Sequence, residues 1–352
     1  MKGDEKLNMQ FQIDEMNYVR YDYLNYCRYV LLDIIKYADE HSLTTTTIPF
    51  KNDCDRKNFN ELCKSEDEKG MKWLLDNGYE NIIYDYAYKH VFFSLIVDFS
   101  NFYSVSIEQA FAGNIAVAWS LLRRPLQETL AYIDWLSLDK HELIKRMLNS
   151  DTVDVYDLTA NKELRKNIVN AVYKYAKSED FDVYSFRYDK KYGSSLDGIL
   201  NGATHLITTY NKYFKTVPSS LNFVFNDKEG RDKCVNMYFT GTPFIMHYAM
   251  NTIMKMFGDI ADLKDYTLIM NEYNLRLKNL QALQTMSLEE GIDIAEIDIP
   301  IYCPKCGNKM ETLDDWKAFA YKSIKCKLCE NEIDTFGYIF DFEEIDFQIE
   351  VS

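Results

Sequence analysis

Residues 106–136 read SIEQAFAGNIAVAWSLLRRPLQETLAYIDWL, and this stretch decides the fold class. Its apolar residues recur at three and four, so that Trp119, Leu122, Leu126, Ile133 and Leu136 fall near one face of a helix. The reading is one long helix from about Ser106 to Leu136. Pro125 lies inside it, lacks a backbone donor and clashes with the carbonyl of Leu121, so a kink or break is expected there.

The helical period continues in both directions. A Tyr-rich helix is expected from about Asn17 to His41, followed by a charged stretch from Ser42 to Gly70 that reads as an exposed excursion. Another helix, Ser194 to Phe214, places Leu196, Ile199, Ala203, Ile207, Tyr210 and Phe214 on one stripe. A third starts with Thr242 as N-cap and Pro243 at the first helical position, then runs from Phe244 to Phe257. The last, 262–290, stops before Gly291. Its Leu263, Tyr266, Met270, Tyr273, Leu277 and Leu280 keep the spacing of a left-handed helix pair, formed inside the bundle or between two copies of the chain.

From Ile292 the period changes to two. Ile297, Ile299 and Ile301 alternate with polar residues, as do Ile345, Phe347, Ile349 and Val351. Between these runs lie Cys303, Cys306, Cys326 and Cys329, a C-x2-C-x19-C-x2-C array that suits one tetrahedral, structural Zn²⁺. In the first pair Pro304 presets φ and Gly307 permits the reversal that turns backbone N–H groups toward sulfur. The second pair lacks that glycine. The expected fold is therefore mainly α, a multi-helix bundle with a small C-terminal β-rich zinc-ribbon module. Three segments are expected: 1–78, an N-terminal helix and excursion; 79–291, the helical body; and 292–352, the zinc ribbon.

Composition excludes several classes. A chain of 352 residues with 47% hydrophobic residues can bury a large core despite a net charge of −15, so it is not a disordered protein. The acidic balance opposes general duplex DNA or anionic membrane binding, because long-range steering would be repulsive. Residues 1–17 are polar and charged, unlike a signal peptide, and the most apolar run, Val91 to Val97, is too short to span a bilayer. Cys27, Cys54, Cys63 and Cys234 show no framework spacing, and free thiols beside a thiolate metal site fit a reducing cytoplasm.

Candidate chemistry in the helical body rests on Arg124, Glu128 and His205. Arg124 and Glu128 are four apart, in the order that stabilises a surface helix less well, inside an otherwise apolar run. That pattern points to an internal ion pair or an anion site. On a helix, Gly198, Asn201, His205 and Thr209 would face together, with His205 able to act as acid, base or phosphate donor. His247 and Asn251 repeat the four-residue relation further on. No phosphate-binding loop, dinucleotide fingerprint, nucleophile elbow or H-E-x-x-H helix is present in the sequence.

The succession of Leu121-Leu122-Arg123-Arg124-Pro125-Leu126-Gln127-Glu128, then Asn201-Gly202-Ala203-Thr204-His205-Leu206-Ile207-Thr208, then Leu221-Asn222-Phe223-Val224-Phe225 resembles uncharacterised bacterial all-helical families. Those families are loosely HEPN-like and associated with phage defence, and the resemblance spans about residues 85–260. It implies a helical bundle and a role in defence. HEPN ribonucleases carry an Arg followed four to six residues later by His, and this sequence has no such pair. The resulting expectation is a cytoplasmic defence or stress-response component that recognises a protein or nucleic-acid partner. Two alternatives stay open: a phosphate-chemistry enzyme using Arg124, Glu128 and His205, and an RNA-binding protein led by the ribbon.

Charge around the ribbon favours a protein partner. Lys305, Lys309, Lys317, Lys322, Lys325 and Lys327 outnumber Glu311, Asp314 and Asp315, but a Zn²⁺ with four thiolates carries a formal negative charge that lysines must offset. Beyond Cys329 the acidic residues face no Lys or Arg. Nucleic-acid binding is expected to be weak and salt-sensitive.

Overall fold

The computed structural model describes residues 15–64, 67–175, 182–189, 195–209, 215–222, 228–261, 303, 305–308 and 323–334. Among them the chain is mainly helical. In order come α1 (Glu15–Glu40), α2 (Asp53–Cys63), α3 (Asp67–Asp76), α4 (Glu80–Phe111) and α5 (Ile115–Arg123), a π-helical segment (Arg124–Thr129), α6 (Leu130–Leu138) and α7 (Lys140–Asn149). Then follow α8 (Lys162–Tyr175), α9 (Val183–Tyr188), α10 (Leu196–Thr204) and α11 (Lys228–Ala261). Two short strands, β1 (Ser323–Lys325) and β2 (Glu332–Asp334), pair antiparallel with Ile324 opposite Ile333.

The main core sits where α1, α4, α5, α6 and α11 converge. On α1, Leu24, Cys27, Leu31 and Ile34 are buried at helical spacing. α1 and α11 run in the same direction: Arg20 donates to Asn236 near one end, and Tyr37 meets Phe257 edge-on near the other. α4 runs the opposite way, with Ser106 bonded to the Tyr238 hydroxyl at 2.7 Å and Tyr88 facing Asp259 at the far end. Tyr103 and Tyr238 illustrate how the tyrosine-rich composition is used: both rings are fully buried, and each hydroxyl finds a polar partner.

α4 is long and apolar enough to cross a membrane by length and composition, so the run around Val91 extends further than the sequence reading allowed. In the fold it is a core helix, with Phe92, Ile96, Phe99, Tyr103 and Ile107 completely covered.

The expected helix over 106–136 is broken twice. α4 ends at Phe111, and Gly113 takes φ +81 while its N–H bonds to Ala110 O and that of Asn114 to Gln109 O. This is the glycine-terminated closure of a helix, and the apolar spacing on either side hid it. At Pro125 the chain does not stop but widens into the π segment, where the Leu130 N–H reaches back five residues to Pro125 O.

Two further expectations are corrected. α10 ends at Thr204, not near Phe214, and His205 is already extended at φ −122, ψ 130. The reason lies in side chains competing for backbone groups: Thr216 Oγ1 accepts from Thr208 N, and Asn222 Nδ2 donates to His205 O and Thr208 Oγ1. α11 begins at Lys228 and passes straight through Pro243, so Thr242 is buried mid-helix and caps nothing. Losing that backbone bond costs roughly 3 kcal/mol. Burial of Tyr238, Phe239, Ile245 and Met246 on both sides of the proline outweighs it. The excursion from Ser42 to Lys64 holds α2 and has no buried residue, with Phe50 and Phe59 partly buried against a small second core around Leu74, Tyr79 and Ile83. The expected helix 262–290 and the strands over 292–301 and 345–351 lie outside the described residues.

Candidate functional site

The C-terminal cysteines form two loops of the same backbone design. Cys303 N donates to Asn308 O at 2.9 Å and Gly307 N to Cys303 O at 2.8 Å; in the second loop, Cys326 N donates to Asn331 O and Glu330 N to Cys326 O, each at 2.9 Å. Gly307 sits at φ +67 and Glu330, four residues after Cys326, at φ +55. The second loop thus makes the same left-handed turn without glycine, at a steric cost of roughly 1 kcal/mol.

This design aims backbone N–H groups at sulfur. Burial works against ionisation of Cys303, but the N–H groups of Cys306 and Lys305 more than offset it and hold the thiol down to about 7. The N–H groups of Cys329 and Leu328 likewise lower Cys326. The Asn308 N–H also pulls on Cys306, yet burial and the three neighbouring sulfurs push that thiol up to about 12. Four sulfurs this close cannot all ionise unless a cation sits among them.

All four Sγ atoms lie within 4.8 Å of one another. Cys303 and Cys329 approach to 3.6 Å, and Cys306 and Cys326 to 3.7 Å. A regular tetrahedron with metal–sulfur bonds of about 2.3 Å has edges of about 3.8 Å. The distances are far too long for a disulfide and right for four sulfurs around one ion. The four cysteines expected from the sequence are therefore brought together, and among the described residues they are the only His, Cys, Asp or Glu group able to hold a metal ion.

The helical-body candidates are placed differently. Arg124 turns toward α4, where Nη2 pairs with Asp98 Oδ1 at 3.0 Å and Nε donates to Asp98 Oδ2 at 3.1 Å. Thr129 also donates to Asp98, and the Arg124 guanidinium lies over Phe102. Arg124 and Glu128 line a recess of about 540 Å³ together with His90, Leu95, Asp98 and Tyr132. His205 does not line it. It follows α10 on the side where Arg123, not Arg124, donates to Thr204, and its carbonyl accepts from Asn222. α10, with Gly198 and Gly202 both buried, packs on α5, whose Ser120 hydroxyl reaches Ala203 O. On α11, the Asn251 amide donates to His247 Nε2, and burial lowers the pKa of that imidazole.

The polar centre missed in the sequence is buried. Arg187 of α9 donates to Asp134 of α6 at 2.6 Å and to Leu126 O at 3.1 Å, while the Tyr248 hydroxyl donates to the other Asp134 oxygen at 2.7 Å. Both Arg187 and Asp134 are fully covered. Burial pushes the Asp134 carboxyl above its usual range, with Arg187 and Tyr248 pulling it back. Leu126 O is the carbonyl that the π segment releases from Leu130, and Tyr188 caps the next one, Gln127 O. The signal was present as one Asp inside Ile133-Asp134-Trp135 and one Arg inside Phe186-Arg187-Tyr188, since charges flanked by large apolar residues must pair.

No family of known proteins, no curated protein and no solved structure matches this chain.

Proposed function

We propose that the chain is a cytoplasmic recognition protein of a prokaryotic defence or stress response, in which a Zn²⁺-bound ribbon at Cys303, Cys306, Cys326 and Cys329 docks on a protein partner and the helical body serves as its platform. The observation that carries this reading is the convergence of four sulfurs from two matched loops to within 4.8 Å of one another. Four thiolates fill the coordination sphere, so the ion would be structural, with no open position for substrate or water. The ribbon's β character would extend from the β1–β2 pairing that flanks the second loop.

Leu328 stands 70% exposed at the tip of the second loop, where an apolar side chain supports contact with a protein surface. The acidic run after Cys329 would repel phosphate within a Debye length of about 8 Å. Nucleic acid is thus the weaker candidate partner.

The test is affinity capture from host cells with the full chain and its Cys326→Ser variant, with and without nuclease. Retention of a defined protein by the intact chain, lost in the variant and insensitive to nuclease, supports the proposal. Capture that survives loss of the metal site, or nanomolar binding of RNA or DNA by the full chain at physiological salt, overturns it.

A further inference from the structure

The recess beside the π segment points to a second, independent site, and we propose that it binds a small organic cation, a primary amine carried on a short aryl or alkyl body. The proposal concerns a ligand of the helical body and does not depend on the ribbon.

The recess has the size and lining of a small-molecule pocket. About 540 Å³ lies within the range of small-molecule pockets, and Val91, Leu95 and Tyr132 supply apolar surface. The Tyr132 hydroxyl is turned away to Tyr156 O, leaving its ring as wall. The His90 ring, packed on Tyr86 at 4.2 Å, adds a second flat surface.

Charge then selects the ligand. The sequence suggests an anion clamp at Arg124, but Asp98 occupies Nε and Nη2 and cancels the guanidinium. Asp98 itself is committed to Arg124 and Thr129. Among the described residues no hydrogen bond or ion pair engages the Glu128 carboxylate, which lines the recess together with Tyr132. Two carboxylates and one guanidinium leave one uncompensated negative charge beside an apolar wall. A divalent metal is a poorer fit, because only one of the two carboxylates is free.

Glu128 is carried by the π segment, which displaces it from the place a regular helix would give it. Such segments weaken a helix and concentrate at functional sites. Here Arg187 and Tyr188 hold the widened turn by binding its Leu126 and Gln127 carbonyls.

The experiment titrates the full chain with phenethylamine, 2-phenylethanol and 3-phenylpropionate, read by saturation-transfer NMR. Saturable binding of the amine on the order of 1 mM is expected for a ligand of this size. The alcohol and the carboxylate should bind at least about 10-fold more weakly, because a charge-assisted hydrogen bond is lost. Glu128→Gln, at an exposed position, should keep the circular dichroism spectrum and lose the preference for the amine. Ser94→Trp, at an exposed position on the recess wall, should block all three. Equal binding of the three compounds, retention of amine preference in Glu128→Gln, or no saturation by the amine would each overturn the proposal.

Discussion

Replacing Arg187 with Met tests whether the buried polar centre holds the bundle together. Arg187 and Asp134 are fully covered, and the guanidinium makes a 2.6 Å bond to the carboxylate and a 3.1 Å bond to Leu126 O. Met fills similar volume but leaves Asp134 with Tyr248 alone and Leu126 O without its acceptor role filled. Removing one partner of a buried pair costs about 3–5 kcal/mol. Arg187 Nη2 already lacks a partner among the described residues, so the native pair is imperfect and the lower end of that range is expected. With a urea m-value of roughly 3 kcal/mol/M, the unfolding midpoint should fall by about 1 M. Adding Asp134→Leu to Arg187→Met removes the stranded charge, so the double variant should be more stable than Arg187→Met alone. A single-variant cost below about 1 kcal/mol, or a double variant no better than the sum of its parts, would refute the reasoning.

Other expectations follow from single residues. Cys326→Ser should abolish metal binding while the far-UV signal of the helical body largely survives, because that body has its own core; loss of most helical signal would contradict this. Gly113→Ala should cost about 1 kcal/mol in urea unfolding, since Gly113 sits at φ +81, and no change would remove the account of the α4–α5 break. His247 gives a pH dependence. Burial lowers its folded pKa, so its contribution is present above the unfolded value of about 6.5 and is lost as pH falls toward the folded one. His247→Gln should flatten the stability profile over that acid window, and an unchanged slope would show that another group is responsible.

The sequence made the helical class and the clustering of the four C-terminal cysteines legible for physical reasons. Apolar spacing at three and four reflects which face is buried, as at Trp119, Leu122 and Leu126. Paired Cys-x-x-Cys turns have few other uses. Boundaries were less legible because they depend on what lies elsewhere in space. Pro243 reads as a helix start, yet its surroundings are apolar on both sides and the helix runs through. The apolar stripe proposed for 194–214 fails at His205, where Thr216 captures the Thr208 N–H and Asn222 the His205 carbonyl. Arg124 was legible as a candidate but not its partner, since Asp98 lies 26 residues away on another helix. Arg187 and Asp134 are 53 residues apart, and only the fold joins them.

The central claim, a closed four-thiolate zinc site, is tested most directly by X-ray absorption on protein purified without chelator. One zinc per chain is expected, with four sulfur neighbours at about 2.3 Å and no nitrogen or oxygen bound to it. Protein purified without chelator that holds no metal, or a zinc with fewer than four sulfur ligands, would contradict it.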